Sequence, residues 1–286
     1  MKILIIGSTG IVGSAFKRNR TKSDTYFFED HSTLEIKNRD QMLARLAETR
    51  PDVVINTAAY VGVNPCAEHQ TEAYAVNAEA VRDLAEICKQ LNICLAHLST
   101  DAVFDGQKGD SYTEEDAANP LNVYGKSKHA GDLFVEDICK KYYIFRLPIL
   151  FGTRENKGNI FIEKMHKLAA SGTTELLISD DVFSCPSFSD DLAREILRLI
   201  KAKLAHGLYH LKNEGKASLF EFASTFFAKL GLEINIKRAK AKDFAYYDKE
   251  PKPLDTAIKS IKIKHLRPWE EAMDDFVVQF KNKEVK

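Results

Sequence analysis

Apolar and polar positions alternate between short apolar runs and helix-period segments, the rhythm of strands and helices in turn. The first run, Ile3 to Ile6, is unbroken and stops at Gly7, with helical periodicity after Gly13. Thr25 to Phe28 predicts a second strand, ending at Glu29 and Asp30. A third, Val53 to Ile55, follows Pro51-Asp52, and Asp40 to Thr49 between them is helical. Ala73 to Gln90 predicts one long helix, with Ala75, Val76, Ala80, Leu84, Ile87 and Cys88 on its apolar face. Ile93 to Leu98 is the next strand, and a helix runs from Tyr124 to about Lys140. Beyond it, Asn159 to Leu168, Asp190 to Lys201 and Leu219 to Leu230 predict helices, the last closed by Gly231. Leu176 to Ser179 and Gly207 to Leu211 predict strands. Such alternation builds a parallel sheet covered by helices on both faces.

Composition narrows the setting. The chain has 286 residues, 44% hydrophobic and 29% charged, as an ordinary globular protein does. Lys plus Arg, 41, equals Asp plus Glu, 41, so no basic excess points to nucleic acid or an anionic membrane. A small-molecule partner is the expectation. No apolar stretch approaches the ~20 residues that span a bilayer, and the N-terminus does not read as a signal peptide. Five cysteines without a C-x-x-C pair fit reduced thiols in the cytoplasm, with Cys88, Cys94 and Cys139 as core fillers.

Candidate chemistry begins at the turn GSTGIVG, where Gly7, Gly10 and Gly13 join a buried strand to a helix. Glycines there let the backbone approach a pyrophosphate, whose charge rests on free N–H groups at the helix start. Ile11 and Val12, between the last two glycines, belong to the same cradle. Asp30, ending the second strand, can accept from ribose hydroxyls and would repel a 2′-phosphate; Arg18, Arg20 and Lys22 could neutralise one, although each by itself reads better as solvated surface. NADPH and NADH both stay open. Ala58, Ala59 and Tyr60 follow the third strand, where small residues let a ring or phosphate lie against backbone; close helix–strand packing is the structural alternative. Asn77, inside the long helix, either satisfies local backbone or serves the site. The fold class is therefore α/β: a Rossmann-type doubly wound parallel sheet over residues 1–152. A smaller substrate-binding lobe over 153–286 follows, with the helix near 190–201 packing back onto the sheet.

Tyr124 and Lys128 are four apart and share a helix face. An ammonium there favours the phenolate and lowers the tyrosine from its usual ~10, which suits a general acid and base. Alone, the pair reads equally well as an exposed aromatic–lysine contact. With the G-x-x-G-x-x-G spacing and the Thr100 hydroxyl at a strand end, 24 residues before Tyr124, it forms the constellation of a short-chain dehydrogenase/reductase. Thr100 and Tyr124 would bind a carbonyl oxygen, the cofactor would deliver hydride, and Tyr124 would supply the proton. Lys128 would tune it and hold the nicotinamide ribose.

Longer words sharpen this. GSTGIVGS at Gly7, RPDVVINTAAY at Arg50, AYAVNAEA at Ala73 and HLSTDAVFDG at His97 are followed by YTEEDAANPLNVYGKSKHAGD at Tyr112 and DDVFSCPSFSDDLA at Asp180. PLDTAIKS at Pro253 and RPWEEA at Arg267 close the series. Together they resemble the dTDP-4-dehydrorhamnose reductase family of extended short-chain reductases. The resemblance implies that Thr100, Tyr124 and Lys128 are catalytic and that Gly7, Gly10 and Gly13 hold the cofactor diphosphate. Ala58, Ala59 and Tyr60 would line the pocket, with Asn77 beside it. It implies an NAD(P)H-dependent reductase of the 4-keto group of a nucleotide-linked 6-deoxysugar, most often dTDP-linked, in surface polysaccharide synthesis. Alternatives are a 4-epimerase or 4,6-dehydratase of the same superfamily, or a non-catalytic NADP-binding regulatory subunit like that of methionine adenosyltransferase.

Departures fall on the sugar side: Asp101-Ala102 for the family's Asp-Tyr, Leu147-Pro148-Ile149 after Arg146, and Val182 to Ser187 in the substrate loop. Some members bind a metal at a dimer contact through a glutamate two residues past the third glycine. Ala15 stands there, so no metal is expected, and a homodimer would lack that link. The basic run Lys237, Arg238, Lys240 and Lys242 could meet a substrate diphosphate but reads better as a solvated strand face; His210 reads as a paired core histidine and Trp269 as the anchor of the last helix.

Overall fold

The computed structural model describes residues 1–155, 160–173, 175–244 and 250–284. Strands β1 (Lys2–Ile6), β2 (Thr25–Glu29), β3 (Val53–Asn56), β4 (Cys94–Thr100) and β5 (Tyr142–Leu147) build the central sheet with β10 (Gly207–His210). Among the described residues their order is β2-β1-β3-β4-β5-β10, every pair parallel. Alternate residues of β1 serve opposite faces. Ile3 and Ile5 join Phe16, Phe145, Leu192 and Ile196 on one side. Leu4 and Ile6 join Met42, Leu46, Leu84 and Ile87 on the other. The covering helices are α1 (Ile11–Arg18), α2 (Arg39–Thr49), α3 (Val63–Glu68), α4 (Gln70–Tyr74), α5 (Ala80–Gln90) and α6 (Val123–Ile138). With them lies α8 (Ser189–Lys201), packed beside α1. Both α8 and β10 thus return to the sheet from beyond residue 152.

The chain runs from β1 to the edge strand β2 and comes back on the other side of β1 as β3. Open doubly wound sheets bind ligands at the carboxyl ends of the strands where the order reverses in this way. Those ends carry Gly7 to Gly10 and Thr57 to Tyr60. Thr57 Oγ1 donates to the carbonyls of Ile6 (2.7 Å) and Gly7 (3.0 Å), tying the two loops together.

One predicted element differs. The span Ala73 to Gln90 is not a uniform α-helix: a π turn, Ala75–Glu79, separates α4 from α5. A π turn is a local widening that periodicity does not reveal. Here α6 crosses the widened turn backbone to backbone: a Cβ on Gly131 would stand 2.2 Å from the Asn77 carbonyl oxygen.

In the lobe, β6 (Leu150–Phe151) pairs with β9 (Ser187–Phe188) and β7 (Glu175–Ser179) with β13 (Asn235–Ala239). Likewise β8 (Phe183–Ser184) pairs with β12 (Ala217–Ser218), and β11 (Asn213–Glu214) with β14 (Leu266–Pro268). Helices α7 (Phe161–Ala170), α9 (Leu219–Leu230) and α10 (Trp269–Glu284) enclose an aromatic core of Phe151, Phe188, Phe222, Phe226, Phe276 and Trp269. Trp269 starts α10 fully buried, the anchor expected of it. The α9 start is a capping box of Ser218 and Glu221, and Gly231 ends it in the left-handed conformation. The expected helix from Asn159 is α7; Asn159 itself lies outside the described residues. Lys237 pairs with Glu175, and Arg238 and Lys240 with Asp180, on the lobe surface. His210 is buried, with Nδ1 at the carbonyls of Tyr112 and Lys259, as a core histidine. Among the described residues no helix is long and apolar enough to cross a membrane.

Candidate active site

Strand β4 ends at Thr100, and a single 3-10 turn, Asp101–Val103, follows, with Thr100 Oγ1 accepting the Ala102 N–H at 3.1 Å. Helix α6 is capped by Asn122, whose Oδ1 accepts from the Gly125 N–H (3.0 Å) and whose Nδ2 donates to the Pro251 carbonyl (3.0 Å). A Cβ on Gly125 would stand 2.3 Å from the Ala102 carbonyl oxygen. That close seating of α6 on the turn after β4 brings the Tyr124 and Thr100 side chains to the same cleft.

Thr100, Tyr124 and Lys128 line a cleft of about 560 Å³ with Gly10, Ile11, Val12 and Ala59. Its opposite wall includes Ile149, Arg154, Phe183, Leu219 and Thr256. A second cleft of about 430 Å³, lined by Gly7, Asp30, Ala58 and Tyr60, shares Gly10, Thr57 and Ala59 with the first. Gly10 caps α1 without a side-chain hydrogen bond, so the helix presents bare backbone N–H groups where the clefts meet. Gly7 has φ +81°, and a Cβ there would lie 2.7 Å from the Ala58 nitrogen. Two clefts joined across an uncapped helix N-terminus fit a dinucleotide's two halves and its diphosphate.

Two predicted cofactor residues act from behind. Gly13 is buried inside the turn, where a Cβ would stand 2.3 Å from the Gly7 carbonyl oxygen. Asn77 is fully buried and lines neither cleft. Its Oδ1 accepts from the Tyr60 N–H (2.9 Å), while Nδ2 donates to the Tyr60 carbonyl (2.9 Å) and Ser127 Oγ (3.0 Å). It pins the Ala58–Tyr60 loop to α6.

The bases near Asp30 in sequence are not near it in space. Arg18, Arg20 and Lys22 line a separate groove, and Arg18 binds Asp190 and the Thr153 carbonyl. Asp30 accepts from the Ser32 hydroxyl (2.6 Å) and N–H (2.8 Å), which holds its carboxyl below the ordinary 3.8.

The electrostatics correct one expectation. Lys128 does not lower the tyrosine: burial pushes Tyr124 up to about 12, the Thr100 hydrogen bond opposing. Lys128 Nζ turns instead to the Leu98 carbonyl (2.7 Å) and His97 Nε2 (3.3 Å), and burial brings it down to about 8. In the resting site Tyr124 is thus a protonated phenol, a loaded acid.

Asp101 is a further site residue whose role was not legible. Burial raises its carboxyl to about 6 against hydrogen bonds from Thr256, Ser184 and Thr100. Its Oδ2 accepts from Thr256 Oγ1 (2.7 Å) and Ser184 Oγ (2.9 Å), clamping the lobe to the end of β4. These partners lie 155 and 83 residues away, and no local pattern could have named them. The sequence departures at Leu147 to Ile149 and Val182 to Ser184 all line the main cleft.

A doubly wound sheet with a dinucleotide-shaped cleft and a Thr-Tyr-Lys cluster beside it defines an extended short-chain dehydrogenase/reductase. Residues 1–282 match the RmlD substrate binding domain family, and the chain belongs to it. It is 32% identical over 233 residues to the dTDP-4-dehydrorhamnose reductase of Aggregatibacter actinomycetemcomitans, covering 79% of this chain and 78% of that protein. The spore coat polysaccharide biosynthesis protein SpsK of Bacillus subtilis is 28% identical over 281 residues, 96% of each chain. The dTDP-4-dehydrorhamnose reductase of Bacillus anthracis, solved in complex with NADP, superposes with a TM-score of 0.90 at 28% identity, covering 97% of this chain and 99% of that one.

Proposed function

We propose that this chain is an NAD(P)H-dependent reductase of the 4-keto group of a nucleotide-linked 6-deoxysugar, dTDP-linked, serving surface polysaccharide synthesis. The observation that carries the reading is the convergence of Thr100, Tyr124 and Lys128 on the inner of two joined clefts. The names of these relatives support the sugar-nucleotide substrate and the polysaccharide role.

When bound, a reduced nicotinamide supplies the hydride to the carbonyl carbon. Thr100 and Tyr124 hydroxyls donate to the carbonyl oxygen, and their donation strengthens as negative charge develops there. Tyr124 then gives its proton to the alkoxide, yielding the alcohol and a phenolate. At neutral pH the phenol holds that proton until the alkoxide forms, since its value lies near 12. Lys128, at the wall of the same cleft, would hold the cofactor ribose through its Nζ. Asp30, Glu35 and Glu72 line the outer cleft, and Lys37 is paired with Glu72 at 2.7 Å. That acidic lining supports NADH over NADPH.

The test is a panel of keto-deoxysugar nucleotides assayed by loss of nicotinamide absorbance. Tyr124→Phe is expected to lower kcat by ~10²–10⁴ while leaving cofactor binding intact. Substrate conversion without net cofactor consumption would favour an epimerase, and full activity in Tyr124→Phe would overturn the mechanism.

A further inference from the structure

Behind the candidate catalytic lysine lies a buried polar chain that the mechanism above does not use. His97 and Asn56 are fully buried, and so, on α6, are Lys128 and Asp132. Asn56 Oδ1 accepts the Ala58 N–H at 3.1 Å. That bond identifies the oxygen end of the amide, so its NH₂ faces His97 Nδ1, 3.3 Å away. Nδ1 must then be an acceptor, and a neutral imidazole carries its proton on Nε2. Nε2 stands 3.3 Å from Lys128 Nζ and 3.8 Å from Asp132 Oδ1. Asp132 Oδ2 accepts from Ser99 Oγ (2.8 Å) and Arg146 Nε (3.4 Å), whereas buried Oδ1 has no hydrogen-bond partner.

An ammonium Nζ and an Nε2–H are both donors and cannot bond to each other. Two arrangements remove the conflict. Either Nζ is a neutral amine that accepts from Nε2–H, or Nζ is an ammonium donating to the Leu98 carbonyl while the imidazole tilts its N–H to Asp132 Oδ1. The unpartnered carboxylate oxygen is placed to receive it.

We propose that His97, oriented by Asn56 and backed by Asp132, is a positioning residue for Lys128: its Nε2–H bonds the neutral amine and swings to Asp132 when Lys128 takes up a proton. The inference rests on the reductase reading for its consequence in catalysis, but its geometry does not depend on substrate. Burial and the Lys128 charge hold His97 far below the ordinary histidine range, so the ring stays neutral while Lys128 titrates. The other charged groups around the pair are His129 and Glu136 on α6, Arg146 on β5, and Tyr124 and Asp101 at the cleft.

Nuclear magnetic resonance of the full chain, labelled with ¹⁵N-histidine and assigned through its backbone, tests this without any ligand. The His97 ring is expected as the Nε2–H tautomer, and its Nε2 resonance is expected to move with a midpoint near the Lys128 value of about 8. An Nδ1–H tautomer, an imidazolium, or an Nε2 resonance flat across that range overturns the proposal. His97→Gln, whose amide oxygen can accept from Nζ, is expected to move the basic limb of the kcat/KM profile up by about one pH unit. An unmoved limb in an active variant also overturns it. If the unaltered protein reduces no keto-sugar nucleotide, the reductase reading falls, while the tautomer and its titration still decide whether His97 positions Lys128.

Discussion

Replacing Thr256 by Val removes one of the two lobe hydroxyls that clamp the Asp101 carboxylate. Asp101 is buried at the end of β4, and burial raises its carboxyl from 3.8 to about 6. That displacement corresponds to roughly 3 kcal/mol between protonation states. A folded value above the unfolded one means that the stabilising contribution is complete below 3.8 and is lost as pH rises through about 6. At neutral pH the folded protein therefore holds an ionised carboxylate that depends on its hydroxyl partners. A hydrogen bond to a charged group contributes ~1.5–3 kcal/mol, and one to a neutral group ~0.5–1.5 kcal/mol. Thr256→Val should thus destabilise the fold by ~1.5–3 kcal/mol at about pH 8, and by roughly half that near pH 4. Urea unfolding of variant and parent at both pH values measures the difference, and groups untouched by the substitution cancel. An equal penalty at the two pH values would refute an ionised Asp101 held by Thr256.

Two further outcomes follow from the clefts. Asp30→Arg removes one of the acidic groups lining the outer cleft and should shift the NADPH-to-NADH ratio of kcat/KM at least tenfold toward NADPH; an unchanged ratio would show that the charge of this cleft does not select the cofactor. Asn77→Ala leaves the Tyr60 N–H without its partner and the Tyr60 carbonyl with only the Cys66 thiol, at a cost of about 1–3 kcal/mol, and should raise the cofactor Kd through the Ala58–Tyr60 loop. Thermal unfolding and cofactor titration check the two halves, and an unaltered Kd would mean that the loop holds its shape without Asn77.

The glycine turn, the Tyr124–Lys128 spacing and most strands and helices were legible because each depends on neighbours within a few residues. Periodicity does not register where a helix widens, so the π turn around Asn77 was hidden in an apolar helical pattern. Sequence proximity left Arg18, Arg20 and Lys22 open as partners for a phosphate, and the structure places them in a separate groove. Helix α1 climbs ~1.5 Å per residue away from the glycine turn, so its C-terminal bases end far from the carboxyl edge that Asp30 occupies.

By itself, the sequence determined the strand, glycine turn and helix where the two clefts meet, the helix face that pairs Tyr124 with Lys128, and the hydroxyl at the end of β4. These are local facts of backbone geometry and helical period. Only the tertiary structure decided that β10 joins the central sheet, that Ser184 and Thr256 clamp Asp101, and that Lys128 faces His97 instead of bringing the tyrosine down. A buried group's protonation state is set by everything folded around it, and those neighbours come from all along the chain.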